Sequence, residues 1–158
     1  MYKIIITSDS NKHFDSAIKE YEKRLWKSLE IIKLKPVKNW SDKQIIEKET
    51  ENIIKILEKQ KWFKIILNPE WKSINTNKLY NLVSEKKHFF PNFVFIIWWA
   101  LWIDYSKIKN HIDFELNLWL MTMPHSLALL VLIEQIYRLE MIEKGLVTIN
   151  RFKVNLKL

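Results

Sequence analysis

Apolar and polar positions run along this chain with two alternating periods. Tyr2–Thr7 (Tyr-Lys-Ile-Ile-Ile-Thr) predicts a strand, whereas residues 14–25 put Phe14, Ile18, Tyr21 and Leu25 on one helical face. Residues 30–37 alternate again as a second strand. Residues 42–59 then return to helical spacing, with Ser41 as a plausible N-cap and Ile45, Ile53, Ile56 and Leu57 facing inward. Phe63–Leu67 predicts a third strand, followed by a polar loop over 68–75, a helix over 77–86 and a buried strand at Phe93–Ile97. A short helix over 104–111 and a last strand over 114–118 complete the alternation.

Strand and helix signals that take turns in this way predict an α/β fold: a mainly parallel sheet covered by helices on both faces. The final helix, 126–144, stands apart. Leu127, Leu129, Leu130, Leu132, Ile133, Ile136 and Leu139 surround most of it, and Gly145 ends it. A helix apolar nearly all round is expected to be buried inside the fold or against a second subunit. The expectation is one domain over 1–158 that pairs as a homodimer.

Composition narrows the chemistry. With no cysteine, disulfides, thiolate nucleophiles and cysteine metal sites are excluded together. His13, His88, His111 and His125 are scattered without metal-ligand spacing, so no metal is expected. Neither a Gly-x-Gly-x-x-Gly loop, a Walker loop nor a serine elbow can be read. The longest apolar run, residues 93–103, is far below the roughly 20 residues that span a bilayer. A cytoplasmic protein without a membrane partner is therefore expected. The formal net charge of +8 favours a polyanion such as RNA. Lysine-rich solvated surface explains the same charge equally well, and a membrane-surface role ranks below both.

Met121-Thr122-Met123-Pro124-His125, followed by Leu132-Ile133-Glu134-Gln135-Ile136-Tyr137-Arg138, closely resembles the most diagnostic stretch of the ribosomal RNA large-subunit methyltransferase H family, SPOUT-class enzymes. Residues 17–25 resemble the family's first helix and Phe93–Ile97 its strand before the knot, so the resemblance covers residues 1 to about 145. It implies a C-terminal trefoil knot, S-adenosylmethionine as methyl donor, and N3 of a pseudouridine in large-subunit rRNA as acceptor. By position, it implies that the cofactor is held at Leu67, at Trp98 in the turn 98–102, and at Leu118, Trp119, Leu120, Met121, Thr122 and Met123. Arg138 and His125 are the implied catalytic groups. Two departures weigh on activity. The family's terminal Tyr-His is absent after Gly145, leaving an atypical tail over 146–158, and Leu129 stands where the family has arginine. The second reading is a non-catalytic RNA- or ribosome-binding SPOUT homologue.

One feature of the composition conflicts with that fold. Average usage predicts about 11 glycines, yet there is one, beside eight tryptophans. Trp98, Trp99 and Trp102 occupy the places of the family's Gly-Gly-x-x-Gly loop, Trp71 that of a Gly-Lys pair, and Trp26 that of a glycine ending the first helix. Trp40, Trp62 and Trp119 also fall where a small turn residue is natural. The substitution pattern predicts that the gene reads UGA as glycine. The competing explanation is a genuinely tryptophan-rich chain whose indoles stack on bases.

Overall fold

The computed structural model describes residues 1–8, 13–59, 61–97, 103–119, 121 and 123–146. Its strands are β1 (Tyr2–Thr7), β2 (Leu29–Leu34), β3 (Phe63–Leu67), β4 (Phe93–Ile97) and β5 (Phe114–Leu116). They alternate with helices α1 (Asp15–Leu25), α2 (Asp42–Glu58), α3 (Thr76–Lys86), α4 (Tyr105–Ile108) and α5 (His125–Glu143). All strand pairs are parallel, in the order β2-β1-β4-β3-β5. The α/β architecture expected from the alternating periods is the one observed. The implied knot turns on the path of residues 98–102, 120 and 122, which lie outside the described residues.

Period two sorts the strand side chains onto two faces. Tyr2, Ile4 and Ile6 join Phe63, Ile65, Phe93 and Phe95 in a core closed by α1, α3 and α5. Ile5, Ile66, Val94 and Ile96 form the opposite core with Ile53 and Leu57 of α2 and Ile108 of α4. The three inner strands are buried on both faces, which is why they read as nearly unbroken apolar runs.

Local chemistry sets the boundaries. The Gln44 side chain accepts from the Ser41 backbone N–H at 3.1 Å and from its hydroxyl at 2.9 Å, fixing the start of α2. Asn75 caps α3 by accepting from the Lys78 N–H at 2.9 Å. β2 stops at Leu34, short of the expected 37, because Pro36 has no N–H to donate and Val37 gives its own to Glu49 Oε1 at 2.9 Å. The Glu49 side chain is buried; its second oxygen has no partner among the described residues, and burial raises its pKa. β5 ends at Leu116 instead of 118, where Asn117 turns its amide to other work.

α5 only partly matches the expectation of all-round burial. Ala128, Leu129, Leu132, Ile133, Ile136 and Leu139 are buried in the core. Leu127, Leu130, Val131 and Met141 are half-buried, so an apolar second side is incompletely covered. The five described tryptophans behave alike. Trp26, Trp40, Trp71 and Trp119 are 49–71% exposed, Trp62 is half-buried, and each stands in a turn or at the edge of an element. Indoles are normally well buried; here they occupy places where a small residue fits.

Candidate active site

Ligands of parallel α/β sheets bind beyond the carboxyl ends of the strands. At that end β3 and β5 lie side by side, with Leu67 in register with Leu116. Leu67 is buried, Leu118 and Met123 are half-buried, and all three belong to one apolar cluster. Trp119 and Met121 of the same loop are exposed. The sequence-expected cofactor positions thus converge on one end of the sheet for every described residue. Trp98, Leu120 and Thr122, with the rest of the turn 98–102, lie outside the described residues.

A polar network underlies that apolar wall. The Asn68 backbone N–H donates to the Leu116 carbonyl at 2.9 Å, and its side-chain amide donates to Glu115 Oε2 at 2.8 Å. The other oxygen of Glu115 accepts from the Tyr105 hydroxyl, which raises the phenol's pKa. Asn117 donates through Nδ2 to the carbonyls of Pro69 at 2.9 Å and Trp71 at 3.0 Å, and its Oδ1 accepts from the Trp119 N–H at 2.9 Å. Asn68 and Asn117 are only 8% and 4% exposed, so each keeps its polar atoms satisfied within the protein. Sequence reasoning missed Asn68, Tyr105, Glu115 and Asn117. The available signal was a polar residue directly after an apolar strand, at Leu67-Asn68 and Leu116-Asn117.

His125 is the first residue of α5, behind Pro124, at the same end of the sheet. Burial pushes its imidazole pKa below the ordinary value, because desolvation disfavours the charged ring. Arg138 stands elsewhere. At 1.5 Å per residue it lies about 20 Å further along the same helix. There it pairs with Glu134, which accepts from Gln135 Nε2 at 2.7 Å; Gln135 Oε1 in turn accepts from Thr76 at 2.8 Å. The two expected catalytic groups are therefore not brought together within one chain. Leu129, in place of the family's arginine, is fully buried in the core. Among the described residues no cluster of three or more His, Asp or Glu is placed to hold a metal ion, and no helix is long and apolar enough to cross a membrane.

A doubly covered parallel sheet with paired polar loops at its carboxyl end is an α/β frame of the kind that binds ligands at that end. The comparisons make the class specific. The family model described as "Predicted SPOUT methyltransferase" matches residues 2–146. Ribosomal RNA large subunit methyltransferase H of Fusobacterium nucleatum is 32% identical over 139 residues, covering 85% of this chain and 89% of the relative. The protein of the same name from Streptococcus equi subsp. zooepidemicus is 36% identical over 137 residues, 81% and 85% of the two chains. That of Acetivibrio thermocellus is 30% identical over 148 residues. The chain belongs to the SPOUT methyltransferase family.

Proposed function

We propose that this protein transfers a methyl group from S-adenosylmethionine to N3 of a pseudouridine in large-subunit ribosomal RNA, in the cytoplasm, as a knotted homodimer. The carrying observation is that the described cofactor positions and His125 meet at the carboxyl end of the sheet in a chain of this family. The names of the curated relatives supply the substrate class.

The chain fits the methyl donor. Leu67, Leu118 and Met123 offer an apolar wall for the adenine, and the family resemblance assigns its polar contacts to backbone at Trp98, Trp119, Leu120, Met121 and Thr122. When bound, S-adenosylmethionine supplies an electrophilic methyl on a sulfonium. The remaining task is to make N3 nucleophilic by removing its proton or stabilising the resulting anion. His125 is assigned the first role by its place at the carboxyl end of the sheet, and the Arg138 guanidinium the second.

Their separation fits a dimer. A two-fold copy packed on the half-buried side of α5, with the helices antiparallel, sets Arg138 of one protomer beside the His125 end of the other. Covering Leu127, Leu130, Val131 and Met141 in this way also removes the apolar surface that one chain leaves open.

Titration of S-adenosylmethionine into the protein with glycine at 26, 71, 98, 99 and 102, followed by methyl transfer to ribosomes lacking the modification, tests the reading. Binding with transfer is expected. Binding of ribosomes without transfer replaces it with the non-catalytic homologue, which the missing Tyr-His and the buried Leu129 favour.

A further inference from the structure

The side chain of Asn117 makes three hydrogen bonds, none of which serves the sheet. Its two amide hydrogens reach the Pro69 and Trp71 carbonyls in the loop after β3, and its oxygen holds the Trp119 N–H in the loop after β5. An asparagine amide has two donors, and here both are committed to one loop while the acceptor is committed to the other. The strand itself has already ended; Asn117 keeps only an isolated bridge to Ser73. At 4% exposure the side chain is shielded from water that would otherwise compete for these bonds.

We propose that Asn117 is a positioning residue that joins the loops after β3 and β5 into one rigid cradle, and thereby sets affinity for the methyl donor. The inference rests on the placement of S-adenosylmethionine at these loops under the proposed function. Backbone groups grip a ligand only if two independent loops keep a fixed spacing, and the Asn117 side chain bonds to both. The network around Asn68 ties its loop to β5 itself, not to the segment that follows. All three partners of the Asn117 side chain are backbone atoms. The clamp is therefore the same whether tryptophan or glycine stands at 71 and 119.

Asn117→Asp is nearly isosteric. It keeps the acceptor for the Trp119 N–H and turns a carboxylate oxygen toward two carbonyl oxygens. The cofactor dissociation constant and KM should rise at least about 10-fold, with kcat at saturating cofactor within about 2-fold of the parent. Affinity should recover as pH falls and the carboxyl, once protonated, donates to one of the carbonyls, while the parent shows no such recovery. A merely structural role would lower Tm without that pH-linked recovery. Should Asn117→Asp fail to fold, Asn117→Ser removes the clamp without burying a charge and should show the same weakened binding. A folded variant that binds within 2-fold of the parent overturns the inference alone. A parent with glycine at 26, 71, 98, 99 and 102 that does not bind S-adenosylmethionine overturns the proposed function and this inference together.

Discussion

The two ends of the sheet are built on opposite principles. At the amino end aromatic rings fill the space: Tyr2 lies 5.9 Å from Phe93, and Phe63 lies 5.8 Å from Phe93 and 5.5 Å from Phe90. At the carboxyl end β3 and β5 lead into Asn68 and Asn117, which with Glu115 of β5 spend their polar atoms on loop backbone and on one another. The first arrangement is non-directional and gains stability from area removed from water. The second gains little net stability per bond but fixes where each loop lies. The division teaches that stability and loop geometry are separable here, although both rest on the same five strands.

The sharpest way to break that division is at the aromatic end. Phe93→Ala should cost about 3–5 kcal/mol, on the order of 10 °C in Tm for a chain of this size. The cofactor dissociation constant of the protein that remains folded should stay within about 2-fold. Loss of binding well below the unfolding transition would show that the two ends are coupled.

Arg138 crosses the division, since it stands toward the aromatic end yet is proposed to act at the partner's carboxyl end. Arg138→Ala should lower the rate at saturating cofactor about 100-fold, with cofactor affinity hardly changed and Tm followed as a control. Equal amounts of Arg138→Ala and His125→Ala subunits, unfolded and refolded together, should regain about a quarter of wild-type activity. Half the dimers are then mixed, and each carries one intact pair. No recovery from two inactive parents means that the two groups do not act together across the dimer.

The tryptophans test the loop end in another way. Peptides from the source organism should carry glycine at 26, 71, 98, 99 and 102; indole-containing peptides over 98–102 would end the decoding explanation. In recombinant protein, Trp71→Gly with Trp119→Gly should leave Tm nearly unchanged, because both side chains are about half exposed or more and neither backbone needs a Cβ. Glu49→Gln tests the buried carboxyl of α2. A carboxyl whose pKa is raised on folding stabilises the protein fully below its unfolded pKa and loses that contribution as pH rises through the folded value. The amide should therefore gain about 1 kcal/mol at pH 8 by circular dichroism melts, with the advantage fading toward pH 4.

The sheet's centre was legible in the sequence because burial on both faces leaves an unmistakable signature, seen in Ile4-Ile5-Ile6 and in Phe93–Ile97. The ends of β2 and β5 were not. Val37 leaves the sheet for Glu49, and Asn117 leaves it for Pro69 and Trp71, partners set by tertiary structure and invisible to local periodicity. Leu67, Leu118, Met123 and His125 could be assigned to one site through family resemblance. The distance from His125 to Arg138 was also readable, being simple helix arithmetic. Its meaning required knowing that α5 offers a second apolar side.

The strand order carries a consequence for how the protein is made. β1 and β2 are neighbours in the chain and in the sheet, but β4 must enter between β1 and β3, with Ile4 beside Phe95 and Ile65 beside the same residue. During translation the early hairpin-free pair therefore waits for a central strand that is synthesised much later. At roughly 5–20 residues per second, about 3–12 s separate the end of β2 from the start of β4. Throughout that interval Ile4, Ile5 and Ile6 have one edge unpaired and no completed core to bury them. The nascent chain should engage a chaperone during those seconds, and should be released only after α5, which closes the core over Ile4 and Ile6, has followed Phe93–Ile97 out of the exit tunnel.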